Sequence, residues 1–469
     1  MLWTTGSTLY IGETDGTGII DITGALTLPA DNFWQWVTFA GLAIGVNKAT
    51  TGDNPVKVDN SGVAAALGGS PPKARYATVW NNRLWLVSAT EPNQVVGSDL
   101  NNPESWTLPT VNADDAVQID IDADDGDEIT GLWPTKERLF VFKRRSIHRI
   151  VPVDPTQPST DATNLKVEIH AQGGGCVSPH SIKAVLDDVV FLSELGLASL
   201  KLAEGVDDFR TALLSRKVSA IQRTPKTTLD IPAIVMDSVS QYWLSIPAAI
   251  SLTGSPQVFV MDYANVGEQT SQGSSNAIRW VRFNGLAAGT AFTEWVDDAG
   301  KVFIIGAQNG DGDWKIFTYR PRDTNQAFTD DGEAYTKQLV TKAYTMDIPL
   351  RRKHFHEWAW GLGLWSDSAQ IAISYYFDGN ESKGGDYSFL LSSGGAGARW
   401  DSAIWDSSLW DSAVQVDQDI TRKLKCNSSG QRGQNITFVI TNAQNLEGIV
   451  VKDFNLYWSF LSEKGVNDV

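Results

Sequence analysis

The sequence predicts an all-β protein, and three observations carry that prediction. Apolar segments are short, Gly, Asp, Asn and Pro interrupt them about every ten residues, and polar turns join them in pairs. Pairing through short turns makes meandering antiparallel sheets the simplest outcome. From this rhythm alone a sandwich, a barrel and a propeller all stay open.

The segments in order are Ser7–Ile11, Gly18–Ile22, Trp36–Phe39 and Leu42–Val46, then Trp80–Val87, Arg138–Phe142 and Ile147–Val151. Val189–Leu192, Leu197–Leu202, Tyr242–Ile246, Gln257–Met261, Trp280–Phe283, Val302–Ile305 and Trp314–Tyr319 continue the pattern. One stretch departs from it. Asp207–Gln222 places Phe209, Leu213, Leu214, Val218 and Ile221 near helical spacing behind two aspartates suited to a helix N-terminus, and is expected to be the one short helix. Around Thr324–Ala334 the composition turns polar, so a boundary is expected between residues 1–333 and 334–469. The longer segments beyond it, Lys337–Ile348, Trp358–Trp360, Gln370–Phe377, Ile436–Ile440 and Ile449–Phe460, read as a β-sandwich.

With 42% hydrophobic and 20% charged residues, the 469-residue chain can bury a substantial core. No apolar run approaches the roughly 20 residues of a spanning helix. The start Met1–Ser7 lacks the basic and apolar regions of a signal peptide, so folding in a cytosol is expected. Cys176 and Cys426 are expected to be free thiols. A formal charge of -17 argues against a general electrostatic grip on nucleic acid. It is compatible with an acidic wall past which DNA slides. The 18 Trp against 4 Met favour rigid aromatic packing.

Candidate chemistry is sparse. His354 and His356 share one face of a strand and could begin a metal site, but Arg351-Arg352-Lys353 precede them and no Cys follows nearby. The run Asp120, Asp122, Asp124, Asp125, Asp127, Glu128 superficially matches a calcium loop. Asp125 stands where the sharp turn needs Gly and Gly131 where a bidentate Glu is needed, which excludes an EF-hand and leaves a solvated acidic turn as the default. Asn309–Trp314 is a partial aspartate-box match, without the arginine cluster of a sialidase. Gly173-Gly174-Gly175-Cys176 lacks the Lys-Ser/Thr of a phosphate loop, and Cys176 with His180 lacks a third, orienting partner. Trp-Asp-Ser recurs every five residues at Trp400, Trp405 and Trp410. Five is neither a strand nor a helix period, so a turn-rich loop or linked short hairpins presenting three indoles is expected, to dock a partner, stack a sugar or pack within the chain. No catalytic, metal-binding or cofactor-binding residue is assigned.

The stretch Asn82-Arg83-Leu84-Trp85, Asn93, Ser98-Asp99 and Pro103-Glu104-Ser105-Trp106 resembles a segment of tailed-bacteriophage tail hub proteins, also called nozzle or packaged-DNA stabilisation proteins. Later landmarks follow in similar order: Gly126–Leu132 with Arg138–Lys143 and Ser146–Ile150, Gly175–Ile182 with Asp187–Ser193, then Arg351–Phe355 and Tyr376–Gly379. The resemblance covers most of residues 75–460 and implies a β-propeller with an appended C-terminal β-sandwich-like domain. It further implies a non-catalytic structural virion protein, a homohexamer at the end of a short tail that extends and closes the DNA channel. The implied partners are tail adaptor proteins, fibres or spikes, and DNA as transient cargo, with no cofactor and no small-molecule substrate. The motif residues Asn82, Arg83, Trp85, Asn93, Ser98, Asp99 and Trp106 are then expected to be structural, with Arg83 and Asp99 fixing a hairpin and Trp85 and Trp106 in a blade core. A carbohydrate-binding or glycan-cleaving propeller, motivated by the three indoles, is the alternative.

Overall fold

A computed structural model describes residues 2–13, 18–29, 34–47, 54–204, 209–216, 218, 220–221, 231–247, 251, 257–264, 278–284, 291–297, 300–308, 314–319, 329–330, 333–334, 337–341, 343–346, 348, 351–364, 368–392, 420–425, 432–442 and 449–460. The chain divides into two compact units, Met1–Arg322 and Asp323–Val469, a little before the boundary expected at 333/334.

Among the described residues the first unit is seven consecutive antiparallel sheets, each with its strands in plain sequence order. We number them as blades. Blade 1 is Leu2–Thr5, Thr8–Ile11, Ile20–Asp21, and blade 2 is Trp34–Phe39, Leu42–Asn47, Val56–Val58, Ala64–Ala66. Blade 3 is Ala74–Trp80, Arg83–Ser88, Gln94–Gly97, Val117–Asp120, and blade 4 is Ile129–Pro134, Leu139–Lys143, Ser146–Pro152, Leu165–Gln172. Blade 5 is Lys183–Val185, Asp188–Ser193, Gly196–Ser199, blade 6 is Ala233–Met236, Gln241–Ile246, Gln257–Asp262, Arg279–Asn284, and blade 7 is Ala291–Asp297, Gly300–Gln308, Trp314–Tyr319. First strands neighbour one another: Trp34–Phe39 meets Ala74–Trp80, which meets Ile129–Pro134, and Lys183–Val185 meets Ala233–Met236, which meets Ala291–Asp297. Meanders gathered around their first strands form a β-propeller.

The core of this unit is a series of layers between blades, and strand alternation fills them. In blade 3, Leu84 and Leu86 face blade 2 while Trp85 and Val87 face blade 4. In blade 4, Leu139 and Val141 face back toward blade 3, and Phe140 and Phe142 face forward to blade 5. Blade 5 continues with Phe191 on one face and Val190 and Leu192 on the other. Burial on both faces explains why the sequence shows apolar runs here rather than apolar–polar alternation.

The expected helix at Asp207–Gln222 does not form as a continuous element. Phe209–Ala212 is a 3-10 turn, Ala220 and Ile221 are helical, and the α-helix Leu200–Ala203 lies before the segment, capped by Ser199. Leu197–Leu202, expected as one strand, therefore leaves the sheet after Ser199. Tertiary packing overrides the helical spacing. Phe209 is buried between blades 4 and 5, where a Cβ on Gly174 would stand 2.3 Å from its ring. Leu213 bridges to Ala198 and Leu214 N donates to Leu197 O, so the segment lines the edge of blade 5 where the neighbouring blades 4 and 6 have a fourth strand.

The second unit is a β-sandwich. One sheet runs Lys337–Val340, Ile436–Asn442, Ser368–Phe377, Asn380–Ser392, and in the other Lys353–Leu364 pairs with Ile420–Lys425, Arg432–Gly433 and Ile449–Phe460. Phe355, Trp358 and Trp360 from one sheet meet Ile371, Ile373, Tyr375, Phe377 and Phe438 from the other. Trp358 packs edge-on to Phe438 at 5.5 Å and 69°, while Phe355 and Phe377 stack at 5.5 Å and 24°.

Trp85 is fully buried, 5.8 Å from the Trp80 ring, with its Nε1 donating to Trp80 O at 3.1 Å. Trp85→Ala is expected to lower stability by about 3–5 kcal/mol in denaturant unfolding. Unchanged stability together with lost assembly would instead make this side chain an interface residue.

Candidate functional site

The residues singled out in the sequence come together around one hairpin of blade 3. Trp80 pairs with Arg83 across a two-residue turn whose Asn81 and Asn82 have φ of 49° and 56°. Asn tolerates this left-handed backbone, and the turn matches the twist of paired strands. Arg83 follows directly and is only 1% exposed. Its guanidinium donates to five carbonyl oxygens. Nη1 reaches Ser98 O (2.7 Å), Asp115 O (2.7 Å) and Asp114 O (3.2 Å), and Nη2 reaches Ala113 O (2.5 Å) and Thr160 O (3.0 Å). Thr160 belongs to the loop between the last two strands of blade 4, so one side chain ties two blades. Burial pushes the Arg83 pKa down, while Asp114, Asp99, Asp115 and Asp161 act against that shift. An arginine stays charged under such a shift because its ordinary value is so high.

The other motif residues support this node. Ser98 Oγ accepts from Leu84 N and donates to Asp99 O. Asp99 closes the next loop by accepting from Ser105 Oγ, Thr107 N and Thr107 Oγ1 at 2.7–3.0 Å. Burial alone would raise the Asp99 pKa, but these hydrogen bonds outweigh it and hold it below the usual value. Asn93 Nδ2 donates to Ala123 O at 3.3 Å. Trp106 is half-buried and packs on the layer between blades 2 and 3 rather than beside Trp85. Trp400, Trp405 and Trp410 lie outside the described residues, as do Asn309–Asp313 and Cys426.

Two structural charges were missed in the sequence. Glu104 accepts from Lys57 Nζ at 2.7 Å and Gly68 N at 2.8 Å, clasping the loop of blade 3 to blade 2. The contact is close enough that a Cβ on Gly69, at φ +77°, would stand 2.0 Å from Glu104 O. Lys143 is wholly buried, its ammonium on Asp122 O and Asp125 Oδ1, both at 2.8 Å. The acidic run is thus more than a solvated turn, since the Asp125 carboxylate neutralises a buried lysine that the Asp122 carbonyl also bonds. Spacing signals neither contact, because each partner is set by blade packing.

The remaining candidates resolve as follows. Cys176 is buried and bonds Ser178 O, and a Cβ on Gly175 would meet Lys143 O at 2.0 Å, so the glycine run serves close packing. The His354 and His356 rings lie 4.4 Å apart, and His356 Nε2 contacts Ser459 Oγ at 2.7 Å. Among the described residues no three His, Cys, Asp or Glu side chains are placed to share a metal ion. No helix among them is long and apolar enough to cross a membrane.

No protein-family model matches the sequence, and a search of curated proteins returns no match. Solved structures similar to this chain include the tricorn protease (11% identity, TM-score 0.36, 68% of this chain but 32% of that one). Others are the N-terminal domain of Nup159 (10%, 0.36, 68% and 86%) and the WD40 domain of SCAP from fission yeast (8%, 0.31, 72% and 90%). None of their activities is carried over to this chain.

Arg83→Met is expected to destabilise the chain by about 3–5 kcal/mol in denaturant unfolding, because it strands buried carbonyls. Arg83→Lys should recover only part of this, since one ammonium cannot span five acceptors. A loss below about 1 kcal/mol for Arg83→Met would mean that the cage is not structural. Burial also holds His148 and His170 below their ordinary pKa. The unfolded chain then takes up protons below about pH 6.5 that the native chain refuses, so stability is full above that pH and declines as pH falls. A melting temperature that drops between pH 7 and 5, and drops less in a His148→Gln/His170→Phe double variant, is the expected result.

Proposed function

We propose that this chain is a structural component of a short bacteriophage tail, a hub or nozzle protein that extends and closes the DNA channel and retains the packaged genome. One observation carries the reading. Of the residues on which the resemblance to that family rests, Arg83 and Ser98 form a buried polar node flanked by exposed Asn82 and half-buried Asp99, with Trp85 and Trp106 packed on either side of the same blade. A motif that cross-braces blades suits a rigid scaffold, and the net charge of -17 suits a channel wall that repels DNA. In this reading the chain is not an enzyme. It folds in the host cytoplasm, assembles as a homohexamer in the virion tail, and contacts adaptor proteins, fibres or spikes, and DNA in transit.

The test is electron microscopy of the full chain, alone and with the adaptor proteins of its tail. Sixfold rings with an open bore are the expected result. A monodisperse monomer that forms no ring in either setting would overturn the proposal. A glycan-array signal that disappears on Trp405→Ala would favour the carbohydrate-binding alternative in its place.

A further inference from the structure

Between blades 4 and 5 lies a cleft of about 360 Å³, at the end where the first hairpins of both blades and the helix Leu200–Ala203 meet. Its lining includes Phe140, Leu200, His170, Glu204, Lys136 and Arg138. That volume suits a small organic molecule. His170 is more than nine-tenths buried, and its ring stands edge-on to Phe140 at 5.1 Å.

The polar atoms define what such a molecule must carry. His170 Nε2 lies 3.2 Å from Leu200 O, and a carbonyl only accepts, so Nε2 holds the proton. Burial keeps the imidazole neutral at neutral pH, which leaves Nδ1 a bare acceptor. Nδ1 is buried, has no hydrogen-bond partner among the described residues, and faces Glu204 Oε1 at 3.9 Å. Two acceptors therefore face each other with no donor from the described residues between them.

A cation is a poor partner for those two acceptors. Arg149 already binds Glu204 at 3.0 Å, and both Arg149 and Arg138 lie close enough to act on the His170 charge. A neutral hydroxyl fits instead. At the same cleft Lys136 and Arg138 have no ion pair among the described residues, whereas Lys201 is paired with Asp187. We propose that this cleft binds a hydroxylated organic anion, with a hydroxyl donating to His170 Nδ1 beside Glu204 and the anionic group held by Lys136 and Arg138. Phe140 and Leu200 supply the apolar wall. The site does not rest on the tail assembly, so ring formation and ligand binding succeed or fail separately.

The experiment is saturation-transfer NMR and calorimetry on the full chain with four probes: D-glucuronate, glycerol 3-phosphate, D-glucose and acetate. Binding of glucuronate or glycerol 3-phosphate at millimolar concentration or below is expected, with the stronger of the two telling carboxylate from phosphate. Glucose and acetate, each carrying half of the chemistry, should bind at least about tenfold more weakly. His170→Phe keeps the ring contact and removes the acceptor, and Arg138→Gln removes the charge at a half-buried surface position. Each should weaken the preferred anion about tenfold while the melting curve shows the fold retained. Absence of binding by both hydroxylated anions overturns the proposal, as does wild-type affinity in both variants. Should His170→Phe fail to fold, Arg138→Gln alone decides.

Discussion

Burial of both faces of a sheet is the constraint from which the first unit follows. A strand such as Arg83–Ser88 has every residue buried, so it needs an apolar neighbour on each side. Its odd and even positions then belong to different cores, Trp85 and Val87 to one and Leu84 and Leu86 to the other. No blade can complete its packing by itself. Stacking successive meanders answers that need repeatedly, each added sheet covering the last and exposing a new apolar face.

In both units the fully buried cations Arg83, Lys143 and Lys353 are answered by the backbone. The Arg83 cage uses carbonyls alone, Lys143 uses one carbonyl and one carboxylate, and Lys353 of the sandwich uses the carbonyls of Ile348, Arg351 and Gln434. Burial lowers the Lys353 pKa, with Asp378 opposing the shift. In each case loop carbonyls that have no strand partner gain a donor, and the charge is stabilised without a dry, isolated ion pair. The three cations thus fix loops that neither sheet pairing nor apolar contact would hold.

Much of this was legible in the sequence, for a physical reason. Doubly buried strands write themselves as apolar runs, so Leu139–Lys143, Gln241–Ile246 and Gln257–Asp262 stood out at nearly their observed limits. The Phe209–Ile221 spacing misled because helical periodicity and inter-blade packing both call for apolar residues at irregular intervals, and packing decided. Arg83 and Asp99 are expected to fix a hairpin; Arg83 stands at its turn while Asp99 closes the loop beyond, and the reach of Arg83 into blade 4 leaves no side-chain sign at Thr160. His170 left no trace either: a single histidine in a half-exposed outer strand looks the same whether its second nitrogen is satisfied or bare.

The Arg83 cage also sets an order of events during synthesis. Arg83 and Thr160 are separated by 77 positions, and Lys57 and Glu104 by 47. A ribosome adding roughly 5–20 residues per second produces Thr160 some 4–15 s after Arg83. Throughout that interval blade 3 has its apolar face open toward a blade not yet made and its central cation short of its last acceptor. The nascent chain therefore advances as a zipper with one tooth always unmeshed, and a pause inside blade 4 would hold a sticky, half-neutralised edge in the crowded cell for as long as it lasted.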